Sequence, residues 1–148
     1  MSSVRDRSVP AGPASSRAHR FRRLAATGVL ASLAAVVATT LAAALVGEFG
    51  VDLEVSDGAE SIPLSGIAVV TGFFSLVGVA LAAALLRWSA HPAERFVWTT
   101  VSLTAISLVP PVLLGADPAA TVALVALHLV AAAVVIPSLA GRLTALRG

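Results

Sequence analysis

The ionisable side chain most worth weighing in this chain is His128, ten residues after Pro118 in a long apolar run. At 1.5 Å per helical residue it falls ~15 Å beyond that proline, at the level of a bilayer midplane. An ionisable group at such depth is a candidate site by default, with a partner to be named. The neutral imidazole offers one donor nitrogen and one acceptor. Ser75, on the second apolar run, and Thr104 or Ser107, on the third, fall at similar depth and are the candidate partners. Three kinds of chemistry are open to such a group: a hydrogen bond that fixes helix packing, haem or metal ligation, and proton handling. A single intramembrane His cannot build a multi-ligand metal site, so ligation would need a homodimer or other donors. Packing is the favoured reading, at ~0.6 kcal/mol for an average interhelical hydrogen bond.

The third run carries Thr100, Thr104, Ser107 and Pro111 at spacings of 4, 3 and 4, one face of a helix. Such a stripe could line a narrow polar path past His128 or bond to neighbouring helices, and packing is again favoured. Pro110-Pro111 removes two amide donors and frees the carbonyls of Ile106 and Ser107, so a kink or early unwinding is expected there, with a cavity wall beside it. The second run has small residues at Ala68, Gly72, Ser75, Gly78 and Ala82, on or near one face, which permits close helix approach. Glu48, Asp52, Glu54, Asp57 and Glu60 crowd one connection, but their spacing is not that of an EF-hand, and a solvated loop is the simpler account. Val51-Asp52-Leu53-Glu54-Val55 alternates with period 2 and suits a short extended segment. No Ser in the runs has both a base and an orienting carboxylate to make a hydrolase triad.

The elements that must position these groups follow from composition. The chain has 148 residues, 57% hydrophobic and 12% charged, with a mean hydropathy of +0.94. Ordinary soluble domains are about 45–50% apolar and about 25% charged. The excess gathers into four blocks, about 24–46, 62–86, 96–114 and 119–140, each near the ~20 residues that cross a hydrocarbon core. A soluble enzyme and a nucleic-acid-binding domain are thereby excluded as the main reading. With no Cys, disulfides, thiolate metal sites and thiol redox chemistry are excluded too. Arg without Lys amid abundant Ala is what a GC-rich coding sequence produces and hints at a bacterial source.

Charge placement predicts the orientation. With both termini cytoplasmic, that side holds ten Arg with Asp6 and Glu94, net +8. The outer side then holds Glu48, Asp52, Glu54, Asp57, Glu60 and Asp117, net −6, which returns the whole-chain +2. No Arg then violates the positive-inside rule, and Trp88 and Trp98 fall at the cytoplasmic interface. Residues 1–20, rich in Ser, Pro, Ala, Gly and Arg, read as a disordered basic tail, and residues 21–148 as the membrane domain. Arg22-Arg23 before an apolar stretch could also open a cleaved export signal. That block is longer than the 7–15 residues of a signal core, so an intact first helix is expected. Gly115-Ala116-Asp117-Pro118 reads as a tight turn, with Gly115 ending one helix in the left-handed conformation, Asp117 as N-cap and Pro118 at the first position of the next.

The pattern resembles a family of small actinobacterial four-helix membrane proteins of uncharacterised function. The likeness rests on Gly50-Val51-Asp52, on Ser107-Leu108 before the prolines, and on His128-Leu129 among small apolar residues, over about residues 24–140. It implies the same topology and no activity, and it makes His128 and the first outer loop features of a type.

The expected fold is an all-α, four-helix transmembrane bundle with short loops and one longer acidic outer loop. Its expected setting is the plasma membrane, as a multi-pass protein. The expected function is non-enzymatic and without a cofactor, exerted through the lipid bilayer, a homo-oligomer or a membrane protein partner, with no role for nucleic acid. The alternatives are a small transporter or channel-like subunit with a path along Ser75, Thr100, Thr104, Ser107 and His128, and a membrane redox protein whose cofactor His128 would bind.

Overall fold

A computed structural model describes residues 13–53, 61–114 and 117–147. Five helices follow one another: α1 (Pro13–Glu48), α2 (Leu64–Trp88), α3 (Pro92–Ser107), α4 (Val109–Leu114) and α5 (Pro118–Ala145). Four stretches are long and apolar enough to cross a membrane: Arg17–Glu48, Leu64–Trp88, Pro92–Leu113 and Pro118–Ala145. Helices α3 and α4 together make the third.

Helix α1 packs most extensively on α2 and α5, α3 packs on α5 and α2, and α1 and α3 do not touch. The order around the bundle is therefore α1, α2, α3, α5, with α1 and α3 at opposite corners. Helices α2 and α5 meet across the short diagonal. Gly78 faces Val135 there, and a Cβ placed on it would lie 3.8 Å from Val135 Cγ1, an ordinary contact.

The bundle is built with small residues inside and large ones outside. Ala31, Ser32, Ala35, Thr39 and Ala43 form the buried face of α1, while Leu30, Leu33, Val37, Leu41 and Leu45 of the same helix are exposed. On α2, Ser75 and Ala82 are buried, and Val69, Phe73, Phe74 and Leu76 are exposed. In water that distribution would leave the hydrophobic effect unused. In lipid, where tails are as apolar as Leu, association depends on close backbone approach, and small residues belong at the contacts. Larger side chains enter the core at the two ends. Leu24, Phe96, Leu139 and Leu143 cluster at one, and Leu53, Ile67, Leu124 and Leu127 toward the other.

The chain signals act where sequence placed some of them. Asp117 Oδ2 accepts the Ala120 amide at 2.8 Å and Pro118 follows in the first helical turn. The expected kink before Pro110 is a one-residue interruption at Leu108, whose backbone stays in the right-handed helical region at φ −81°, ψ −14°. Restarting at Val109 puts both prolines in the first turn of α4, where the missing amides would have had no helical partner anyway. The Pro111 carbonyl then accepts the Thr121 hydroxyl at 3.3 Å, tying α4 to α5.

Several boundaries differ from expectation. Helix α1 begins at Pro13, within the segment expected as a disordered tail. Its Ala and Arg residues are good helix formers, and extending a helix already nucleated by the apolar run costs little. Pro92 takes the first turn of α3, four residues earlier than the expected start at 96. Helix α5 runs past 140 to Ala145 and passes through Pro137 without ending. The left-handed residue of the described chain is Gly50, at φ +76°. Its amide bonds to Gly47 O at 2.9 Å and the Val51 amide to Val46 O at 3.4 Å, the paired closure of a Schellman motif at the end of α1. Gly115, expected in that role before α5, lies outside the described residues, as do Glu54, Val55, Asp57 and Glu60.

Candidate functional site

His128 is half-buried on α5, and its Nδ1 lies 2.9 Å from Leu124 O, one turn back on its own helix. A carbonyl can only accept, so Nδ1 carries a proton and donates. The expected cross-helix partners do not supply a bond. Among the described residues no hydrogen bond joins His128 to Ser75, Thr104 or Ser107.

The hydroxyl stripe is likewise turned inward on its helix. Thr100 Oγ1 donates to Phe96 O at 2.7 Å, and Ser107 Oγ to Thr104 O at 2.7 Å. Ser107 is exposed, and Thr100 and Thr104 are half-buried. Ser75 alone of the five is buried, at 5% exposure, within the small-residue face of α2. Among the described residues the five side chains form no single hydrogen-bonded network.

A polar pair that sequence reasoning passed over does cross between helices. Thr39 of α1 is 1% exposed, its Oγ1 lies 2.8 Å from Ala35 O, and it stands 3.3 Å from Thr71 Oγ1 of α2. A hydroxyl has one proton, so Thr39 donates to Ala35 and accepts from Thr71. Along the same pair of helices, a Cβ placed on Gly28 would fall 2.6 Å from Val79 Cγ2, and one on Gly72 would fall 3.5 Å from Val36 Cγ2. These contacts make the α1–α2 seam. Its signal in the sequence is the run Gly28, Ala31, Ser32, Ala35, Thr39 and Ala43, small at helical spacing throughout. Ser32 Oγ and Thr40 Oγ1 are buried there without a hydrogen-bond partner in the described structure.

The two ends of the bundle differ in charge. The start of α1, the α2–α3 turn and the end of α5 lie together, fastened by Arg147 Nη2 donating to Ser89 O at 3.1 Å. That end carries every described Arg, together with Glu94. A cleft of about 350 Å³ opens there, lined by Arg17, Arg20, Phe21, Leu86, Arg87 and Trp88. The opposite end holds Glu48, Asp52 and Asp117. Its cleft, of about 440 Å³, is lined by Gly50, Val51, Asp52, Asp117 and Ala119. Neither cleft includes a residue of α3, so the cavity wall expected beside Ile106 and Ser107 is not where these clefts open. Among the described residues, no three His, Asp or Glu side chains gather as a metal site would require.

Four apolar spans, an interior of small residues and ends of opposite charge define a small multi-pass α-helical membrane protein. Residues 19–145 match the DUF6069 family, a family of unknown function, and the chain belongs to it. No curated protein and no solved structure matches the chain.

Proposed function

We propose that this is a non-enzymatic integral membrane protein that works through contact with lipid, with a second copy of itself or with another membrane protein. The observation that carries this reading is where the polar groups inside the bundle are spent. The imidazole of His128 and the hydroxyls of Thr100 and Ser107 bond to carbonyls of their own helices. What the bundle offers its surroundings is an apolar exterior and two charged ends. Crosslinking in the native membrane tests the proposal. Discrete dimers, a defined heteromeric adduct or a photocrosslinked lipid support it, and a chain that yields only monomers with neither partner nor lipid attached at native expression overturns it.

The charge asymmetry supports a cytoplasmic position for the arginine end, with both termini inside, in the plasma membrane of a bacterium, and the resemblance described above supports an actinobacterial one. Because the chain has no Cys, single substitutions report topology cleanly. Ser61→Cys should react with a membrane-impermeant maleimide in intact cells, and Ser89→Cys only after lysis. The reverse pattern would invert the orientation.

A further inference from the structure

The arginines at the end of the bundle are more organised than topology alone requires. To orient a membrane protein, Arg need only lie in the right loops near helix ends. Here Arg17 and Arg20, one turn apart on α1, and Arg87, in the last turn of α2, converge on a single cleft, with no acidic side chain in its wall. Arg22, Arg23 and Arg95 lie at the same end and take no part in it. The remainder of the wall is apolar or aromatic: Phe21, Leu86 and Trp88. Arg87 stands 5.9 Å from the Trp88 ring centroid, close enough for the indole face to hold the guanidinium. It also offsets the partial negative charge at the carbonyl end of α2.

We propose that this cleft binds the phosphodiester headgroup of an anionic phospholipid. The guanidinium fork matches two phosphate oxygens at once, which a lysine ammonium does not. Three such forks drawn from two helices would surround one phosphate. Phe21 and Leu86 would meet the glycerol and the first acyl carbons. Trp88, 77% exposed, would sit at the level where indoles settle between headgroup and tail. The apolar wall favours a lipid over a free phosphate ion, for which an all-polar cradle would serve better. The inference rests on the contact reading above and on the arginine end lying at headgroup level. It specifies the ligand and the residues.

The test is native mass spectrometry of protein released from nanodiscs of phosphatidylcholine containing a fraction of phosphatidylglycerol. Wild type should leave with phosphatidylglycerol bound in preference to phosphatidylcholine. The pair Arg17→Gln with Arg87→Gln should lower that retention by roughly thirtyfold, from about fivefold per arginine. The pair Arg23→Gln with Arg95→Gln removes the same charge outside the cleft and should retain the lipid. Arg17→Lys with Arg87→Lys, which keeps the charge and the topology, should retain an intermediate amount. Equal losses in the two glutamine pairs would overturn the site in favour of diffuse attraction. Displacement of the lipid by millimolar inorganic phosphate would overturn it in favour of an ion site. The same spectra give the oligomeric state, so a monomer that keeps its lipid would refute self-association without touching this site.

Discussion

Along the α1–α2 seam two helices give up side chains to bring their backbones together, and one hydroxyl pair, Thr39 with Thr71, bridges the gap. Helix α3, at the corner farthest from α1, does neither. The hydroxyls of Thr100 and Ser107 fold back on its own carbonyls, much of its surface is exposed, and it is interrupted at Leu108, with α4 completing the span. The seam includes Gly28 against Val79, Gly72 against Val36, and Thr39 beside Thr71. The α3 side includes Thr100 and Ser107 bonded within one helix. The difference teaches that polar residues in a membrane helix have two fates. A hydroxyl that meets another helix contributes to assembly. One that reaches its own backbone is merely solvated by it.

The comparison is broken most forcefully at Gly28. Gly28→Leu should destabilise the bundle by about 2–3 kcal/mol, since the added carbon meets a β-branched side chain that cannot swing aside. Thermal unfolding in mild detergent reads the effect, and Val79→Ala in the same chain should recover most of it. Unchanged melting would mean that the seam is not close-packed.

A smaller effect separates the two hydroxyl classes. Thr39→Val should cost about 0.6–1 kcal/mol through loss of the bond to Thr71. Thr100→Val should fall within about 0.5 kcal/mol of wild type, because only a bond within its own helix is lost. Equal penalties would erase the distinction between seam and corner.

The smallest change is expected at the residue that looks most functional. His128→Leu leaves the Leu124 carbonyl its backbone amide, so stability should shift by less than about 0.5 kcal/mol. Purified protein should also keep any bound mass that wild type carries. A pigment or ligand that vanished with the imidazole would return His128 to the role of ligand.

What could be read from sequence divides along the same line. The four crossings, the break before Pro110 and the Asp117 cap are each signalled by a residue type that acts within a few positions of itself. The seam is not local. In a chain so rich in Ala, many helical faces look small, and nothing in the spacing of Gly28 says that Val79 will cover it. The α2 face at Ser75 and Ala82 was legible because Gly72 and Gly78 punctuate it. The α1 face was hidden among alanines. Gly50 was within reach, as the glycine that follows an apolar run by four residues, but the acidic loop around it drew attention to charge. Counting residues from the helix ends put Ser75, Thr104, Ser107 and His128 at similar depth. Whether they touch depended on how each helix is turned about its axis, and that rotation is set by the packing partners.

The length of α1 has a mechanical consequence. Its 36 residues make a rod of about 54 Å, against ~30 Å of hydrocarbon to be crossed. Some of the surplus stands at the arginine end, ahead of Leu24. Gly28, where Val79 bears on the helix, lies only five positions beyond Arg23. A continuous helix does not absorb a tilt applied at one end, so the overhang is a short lever with its fulcrum in the seam. Any load on the arginines is transmitted to the Thr39–Thr71 contact, a few turns further along the same rod.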